Sequence, residues 1–474
     1  MKVPLQDLIA GKIVLPGDPG YNEDRKDFDD LYPAYPQIIV YAASTSDIWW
    51  AIRYAQVNNL HVAIRSGGHS TAGFSVSDGM ILDLSMMNKV TVNAVDQIAT
   101  VEVGCTFMSL NTELEKHGFH LPGGGCPTVA VAGYMMGGGY GFTSRTFGMN
   151  CDNVVQILMM KADGTLVVAN ENENADLFWA IRGGRGGNFG VLISISYQVH
   201  PLDTIYGIQI QWSLQDHMAE AAEALYVIQE KYLCNHQLPE MGIELAVITD
   251  NTDGIKKLTF CATWVGDQTG LDQAIQPLLG ISGAVVTMRL HDRYSRVNEA
   301  LLSNVEGGLP RDIKAYSRCA YFARPLQASD YQDILQYYYD TAPNKYTIMA
   351  MECYGGKINQ VDPSAMAFMH RNVLFDLFAD GFFNEETRDQ EKNKIWIEDL
   401  FTFLSQYTNG HSYQNYPNRL QLDWKWAYYG NQYSRLVEIK QKYDPENFFR
   451  YMQSIGNPTP EQLTSERKDA DFQV

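Results

Sequence analysis

Arg65-Ser66-Gly67-Gly68-His69-Ser70 and, further along, Gly123-Gly124-Gly125-Cys126-Pro127-Thr128-Val129 decide how this chain is read. Each places a reactive side chain at the end of a glycine run. Glycine has no Cβ, so such a run lets backbone N–H groups approach a pyrophosphate or a ring edge in conformations that other residues resist. An imidazole or a thiol held there meets the ligand directly. Taken singly, each stretch also fits an ordinary turn, with a histidine satisfying a local hydrogen bond and a small buried cysteine.

The neighbouring sequence places these turns. Residues 37–42 form a strand-like run, followed by a helix capped near Ser46 with Ile48, Ile52 and Ala55 on one face, then a strand over 61–65. This β-α-β pattern delivers Gly67 to His69 at a strand end. Residues 154–159 and 166–168, joined through Asp163-Gly164, are expected to form a hairpin, and 190–195 another strand. The first unit should end near Pro201. Beyond it the pattern changes to alternating apolar and polar residues at 208–212, 243–245 and 258–260, expected to have one buried and one exposed face. Helical periodicity appears at 218–228 and 395–404. The whole is an α+β chain whose later part is an antiparallel β-sheet flanked by helices. The tail after Pro458 is expected to be disordered.

A chain of 474 residues can bury two sizeable cores. A net charge of −19 with no basic cluster excludes nucleic acid and anionic membranes as partners. No apolar run is long enough to span a bilayer, and the start at Met1-Lys2-Val3-Pro4 lacks the pattern of a secretory signal, so an intracellular protein or a mature exported form is expected. Asn457-Pro458-Thr459 is the one N-x-[ST] match and its proline disqualifies it, which favours a bacterial source. The seven cysteines (105, 126, 151, 234, 261, 319 and 353) show no metal-ligand spacing, and no metal is expected. A dinucleotide fingerprint fails because Phe142 stands at the third glycine's place after Gly137 and Gly139, and no P-loop occurs. Oligomeric state is not readable from the chain.

Further motifs follow in a recognisable order: Gly137-Gly138-Gly139-Tyr140-Gly141, then Trp179-Ala180-Ile181-Arg182-Gly183-Gly184-Arg185-Gly186-Gly187-Asn188-Phe189-Gly190, and near the end Tyr443-Asp444-Pro445-Glu446-Asn447-Phe448-Phe449 and Gln453-Ser454-Ile455. With the two turns, these resemble the berberine-bridge-enzyme-like oxidases of the vanillyl-alcohol oxidase superfamily, over about 41–199 and again at the C-terminus. The resemblance implies a two-part PCMH-type FAD-binding domain, with 1–201 and the returning segment 418–474 around a substrate-binding domain over 202–417. It implies FAD bound covalently, through His69 to the 8α-methyl carbon and through Cys126 to C6. Arg65, Ser66, Gly67, Gly68, Ser70, Val129, Gly133, Tyr134, Gly138, Gly139, Gly141, Val191 and Asn447 then fall at its cofactor-binding positions.

The same resemblance, through Ser412-Tyr413-Gln414-Asn415-Tyr416-Pro417, makes Tyr416 the base that takes a substrate hydroxyl proton. A free phenol at about 10 is a poor base at neutral pH, so a partner must accept its proton. Glu352 in Met351-Glu352-Cys353-Tyr354-Gly355-Gly356 is the candidate. Val129 stands where a small residue leaves O2 room above the flavin. Three positions depart from the pattern: Tyr134 replaces a histidine near the pyrimidine edge, Thr71 a tyrosine lining the cleft, and Arg185, able to reach a phosphate, interrupts a glycine run. Trp424, Trp426, Tyr428 and Tyr429 are expected in the core rather than stacked on sugars. The expectation is an oxidase taking the anomeric hydroxyl of a mono- or oligosaccharide to a lactone, with O2 reduced to H2O2. The alternatives are oxidation of a natural-product alcohol or ring, and a flavoprotein that holds its cofactor without turnover.

Overall fold

Ser44, two residues before the expected cap, starts the first long helix, Thr45–Val57, by accepting the Asp47 N–H at 3.2 Å. Such a cap contributes about 1 kcal/mol. The cap lies earlier because Asp47 is needed inside the first turn, where its buried carboxylate accepts the backbone N–H of Ala10, Gly11 and Ala43. Ile48, Ala51, Ile52 and Ala55 form the buried face, as their spacing requires. The computed structural model describes residues 4–28, 30–234, 238–306, 314–384 and 390–456, and the tail after Pro458 lies outside the described residues.

The helix packs in a unit with two sheets. The first is four-stranded, in the order Lys12–Val14, Ile38–Tyr41, Met80–Asp83, Val62–Arg65, its last three strands parallel. The second is five-stranded and antiparallel, running Val90–Asn93, Ile98–Glu102, Val191–Gln198, Val154–Met160, Leu166–Ala169. The expected hairpin is the last pair. Their shared core also takes in Tyr354, Phe368, Tyr413, Trp424, Tyr428 and Phe449, so the chain returns to this unit after leaving it.

Between those passages lies a seven-stranded antiparallel sheet in the order Val285–Asp292, Ile205–Ser213, Lys256–Trp264, Met241–Thr249, Ile348–Cys353, Phe375–Phe383, Lys314–Phe322. One face carries Trp212, Leu245, Phe260, Met351 and Leu377 and packs in one core with helices Met218–Ile228, Gln268–Leu279, Ala328–Thr341 and Gln390–Leu404. The opposite face was expected in solvent, and this expectation is overturned. Gln209, Thr259 and Thr263 on it are at most 1% exposed: helix Tyr294–Glu306 packs over the neighbouring Gly207 and Cys261, and Thr263 donates to the Phe142 carbonyl of the first unit. At Gly242 the approach is so close that a Cβ would lie 1.5 Å from the Phe142 carbonyl oxygen. A polar sheet face thus becomes the wall of an enclosed site. All seven cysteines are unpaired, and no helix among the described residues is long and apolar enough to cross a membrane.

Candidate active site

The strand Val62–Arg65 ends in the first glycine turn. Arg65 is spent on structure: its Nε binds Asp83 at 2.5 Å and its Nη1 donates to the Lys26 carbonyl. The Ser66 hydroxyl donates to the Val103 carbonyl, Ser70 Oγ accepts the Phe74 N–H, and Gly68 takes a φ of 69°. A Cβ on Gly67 would lie 2.7 Å from the Ala130 nitrogen, so this turn lies directly on the second one. There, each glycine is flattened against a different side chain. A Cβ would come within 2.3 Å of the Phe107 ring at Gly123, 2.9 Å of the Tyr134 ring at Gly124 and 2.5 Å of Leu302 at Gly125.

This double packing brings the two expected anchor residues together. The Thr128 hydroxyl lies 3.0 Å from His69 Nε2 and 3.4 Å from Cys126 Sγ. His69 stacks on Phe28 with ring centroids 4.7 Å apart, and burial pushes its imidazole down to about 4, so it is neutral over ordinary pH.

The sheet side of the site carries carboxyl groups. Register sets Glu244 opposite Glu352, Glu352 opposite Asp376, and Asp376 opposite Tyr321, a row of three carboxyl groups on adjacent strands. Like charges directly opposed destabilise a sheet. Tyr416 offsets part of this by donating its hydroxyl to Glu352 Oε1 at 2.6 Å. Burial, and next the facing Asp376, push Glu352 up to about 8. Asp376, fully buried beside the Cys319 thiol, is itself raised well above the ordinary carboxylate range by desolvation. Burial and the Glu352 carboxyl raise the Tyr416 phenol well above its ordinary 10, so at neutral pH it carries its proton.

Tyr134 joins the two halves. Its carbonyl accepts Asn415 Nδ2 at 2.9 Å, and its ring lies on Gly124 and Gly139. Tyr413 adds a second seam, its hydroxyl oxygen accepting the N–H of Gly139 at 2.7 Å and Asn415 Nδ2 at 3.0 Å, while its ring meets Tyr416 edge-on. Gly138, Gly139 and Gly141 are buried, packed on Phe368, on Tyr134 with Asn150, and on the Gly123 carbonyl, so they shape the site from beneath.

Exposed small residues border the junction of the two turns. Gly67, Thr128 and Gly133 are exposed, a Cβ on Gly133 would meet nothing within 4 Å, and Val129 is half-buried beside them. The Tyr134 hydroxyl is buried without a partner, as a donor awaiting an acceptor would be. No cluster of His, Cys, Asp or Glu among the described residues could hold a metal ion. These contacts do not include Val191, buried in the core, or Asn447, in the turn after the last helix with φ of 48°. Arg185, read as able to reach a phosphate, instead sits among the rings of Phe74, Tyr428 and Tyr451. Trp424, Tyr428 and Tyr429 are core, whereas Trp426 is half exposed against His411.

Sequence reading gave no role to Thr128, although it lies within the quoted turn. Asp376 and Asn298 were also missed; Asp376 is placed only by strand register, and Asn298 only by tertiary packing.

A family model described as an FAD binding domain matches residues 36–170, and one described as berberine and berberine like matches 412–456. The chain is 31% identical to the uncharacterized FAD-linked oxidoreductase YgaK of Bacillus subtilis, over 94% of this chain and 97% of that protein. It is 28% identical to a carbohydrate oxidase of Microdochium nivale, over 94% and 92%. Its fold matches that of BBE-like 1 of Physcomitrella patens with a TM-score of 0.85 at 23% identity, covering 96% and 99% of the two chains.

Proposed function

The chain belongs to the berberine-bridge-like FAD-linked oxidoreductases, and from that premise we propose that it is an oxidase of a sugar's anomeric hydroxyl, with its FAD held covalently at both His69 and Cys126. The 2.6 Å bond between Tyr416 and Glu352 supports it most, because it pairs a phenol that can meet a substrate hydroxyl with a buried acceptor for the phenol's proton.

FAD bound there would supply the acceptor for the substrate's hydride and the route of its electrons to O2, giving H2O2. Everything else falls to the protein. As the substrate hydroxyl releases its proton to Tyr416, the phenol's own proton crosses to Glu352 Oε1. An ordinary carboxylate near 4.5 would be a weak acceptor from a phenol. Burial and Asp376 narrow that gap by raising Glu352 to about 8. The Glu352 and Asp376 pairing, a defect for the sheet, thereby makes a stronger base.

At the floor, the shared contact with Thr128 keeps an imidazole nitrogen and a thiol within one hydroxyl's reach, which suits attachment to two positions of a single aromatic ring. Neutrality leaves His69 nucleophilic. Tyr134 supplies an uncharged hydroxyl that would stabilise negative charge on the reduced ring less than an imidazolium would. The small Val129 leaves room for O2. Similarity to the carbohydrate oxidase favours a sugar.

The test is a peroxide-coupled assay over mono- and oligosaccharides alongside aromatic and alkaloid alcohols. Turnover of aldoses supports the proposal; turnover confined to the other alcohols replaces the substrate class, and a flavin that no member reduces overturns oxidase function.

A further inference from the structure

The turn that presents Cys126 is gripped by a helix from the other unit. Helix Tyr294–Glu306 rests on the seven-stranded sheet, where Val297 Cγ1 lies 2.5 Å from the place of a Cβ on Gly207, and the Cys261 thiol reaches the Leu301 carbonyl. The adjoining edge of the same face meets the turn. Asn298 Nδ2 donates to the Gly125 carbonyl at 2.6 Å, Tyr294 donates to the Gly123 carbonyl at 3.4 Å, and Leu302 covers Gly125. A second anchor, Glu115 on helix Phe107–Lys116, accepts the N–H and hydroxyl of Ser295 at 2.8 and 2.9 Å.

The Gly125 carbonyl belongs to the same planar peptide unit as the Cys126 nitrogen. Fixing that oxygen fixes the plane, and with it the Cα of Cys126 from which the sulfur projects. Asn298 is buried, so water is a poor substitute for its amide.

We propose that Asn298 is the positioning residue for the second flavin attachment, holding the Gly125–Cys126 peptide so that Sγ faces the same Thr128 hydroxyl as His69. The proposal rests on the reading that FAD is held twice. In that attachment Sγ loses its proton and bonds to ring carbon C6, the hydrogen on C6 leaves as a proton, and the released electron pair reduces O2 to H2O2. His69 attachment does not pass through this helix. Seating of the substrate-side unit is therefore a condition for the second bond and not for the first.

The experiment uses the full-length holoprotein, denatured, alkylated with iodoacetamide and digested for mass spectrometry. Wild type should give His69 and Cys126 peptides joined through one flavin, and Cys126→Ala a flavin on His69 alone. In Asn298→Leu, which keeps the volume and removes the donor, we expect flavin on His69 as in wild type. Cys126 attachment should be slowed about tenfold, the size of one neutral hydrogen bond, leaving alkylated Cys126 in freshly purified protein. Asn298→Leu carrying both bonds at the wild-type rate overturns the proposal. Should that variant lack the His69 bond as well, and so not have folded, Glu115→Ala is measured in the same way, and wild-type attachment there overturns it equally. A wild type with only one bond overturns the double-attachment reading, and this proposal with it.

Discussion

Glu352 faces Asp376 across two strands and accepts the hydroxyl of Tyr416, and the proposed chemistry turns on its charge. Only the carboxylate can take the phenol's proton. Because burial and Asp376 hold the group up to about 8, kcat/KM should rise with pH through that value, as a pH profile with a slow sugar would show. Asp376→Asn removes the facing acid and should move the limb to lower pH; an unmoved limb would exclude the pair as its source. Tyr416→Phe should lower kcat/KM by about 10²- to 10⁴-fold, the usual worth of a general base, with the flavin spectrum unchanged. Normal flavin reduction in that variant, followed by stopped-flow absorbance, would exclude Tyr416 as base. His69, Cys126, Tyr416 and Glu352 could be proposed from the sequence because each lies in a local motif. Thr128 and Asp376 were not, since a hydroxyl's partners and a carboxyl's cross-strand neighbour are set by chain segments far away in sequence.

At the scale of elements, helices and strands of the first unit were legible from period and turn chemistry, down to the Val154–Met160 and Leu166–Ala169 hairpin. The helix over 218–228 was placed correctly because its apolar residues recur at helical spacing. The failure lay in the sheet's second face. Alternation identifies the polar residues of a strand but not whether solvent or other parts of the molecule meet them, and here Gln209, Thr259 and Thr263 are all buried, Thr263 against the Phe142 carbonyl of the first unit. That junction is tight at Gly242, where the atom facing an added Cβ is a backbone oxygen that cannot swing aside. Gly242→Ala should cost about 3 kcal/mol, at the upper end for overpacking. Urea denaturation checks this, and a loss well under 1 kcal/mol would mean that the two units sit less closely.

For the whole molecule, the buried pair of Glu352 and Asp376 couples stability to pH. Glu352 binds its proton more tightly folded than unfolded. Between about 4.5 and about 8 the native state therefore holds a proton that the unfolded chain has lost, and this group's contribution to stability declines as pH rises through that window. Glu352→Gln removes the coupling. The stability difference between variant and wild type should grow by about 1 kcal/mol per pH unit up to about 8 and then level off, as Tm measured across the range would show; a difference flat with pH would mean that Glu352 is not raised. Bringing the two glycine turns together is the larger task of the fold. The most direct measurement of that outcome is the mass spectrum of the native holoprotein after denaturation and digestion. The account predicts one cross-linked species in which a single flavin joins the peptide of His69 to that of Cys126. Colourless denatured protein, with all the flavin released into the supernatant, would contradict it.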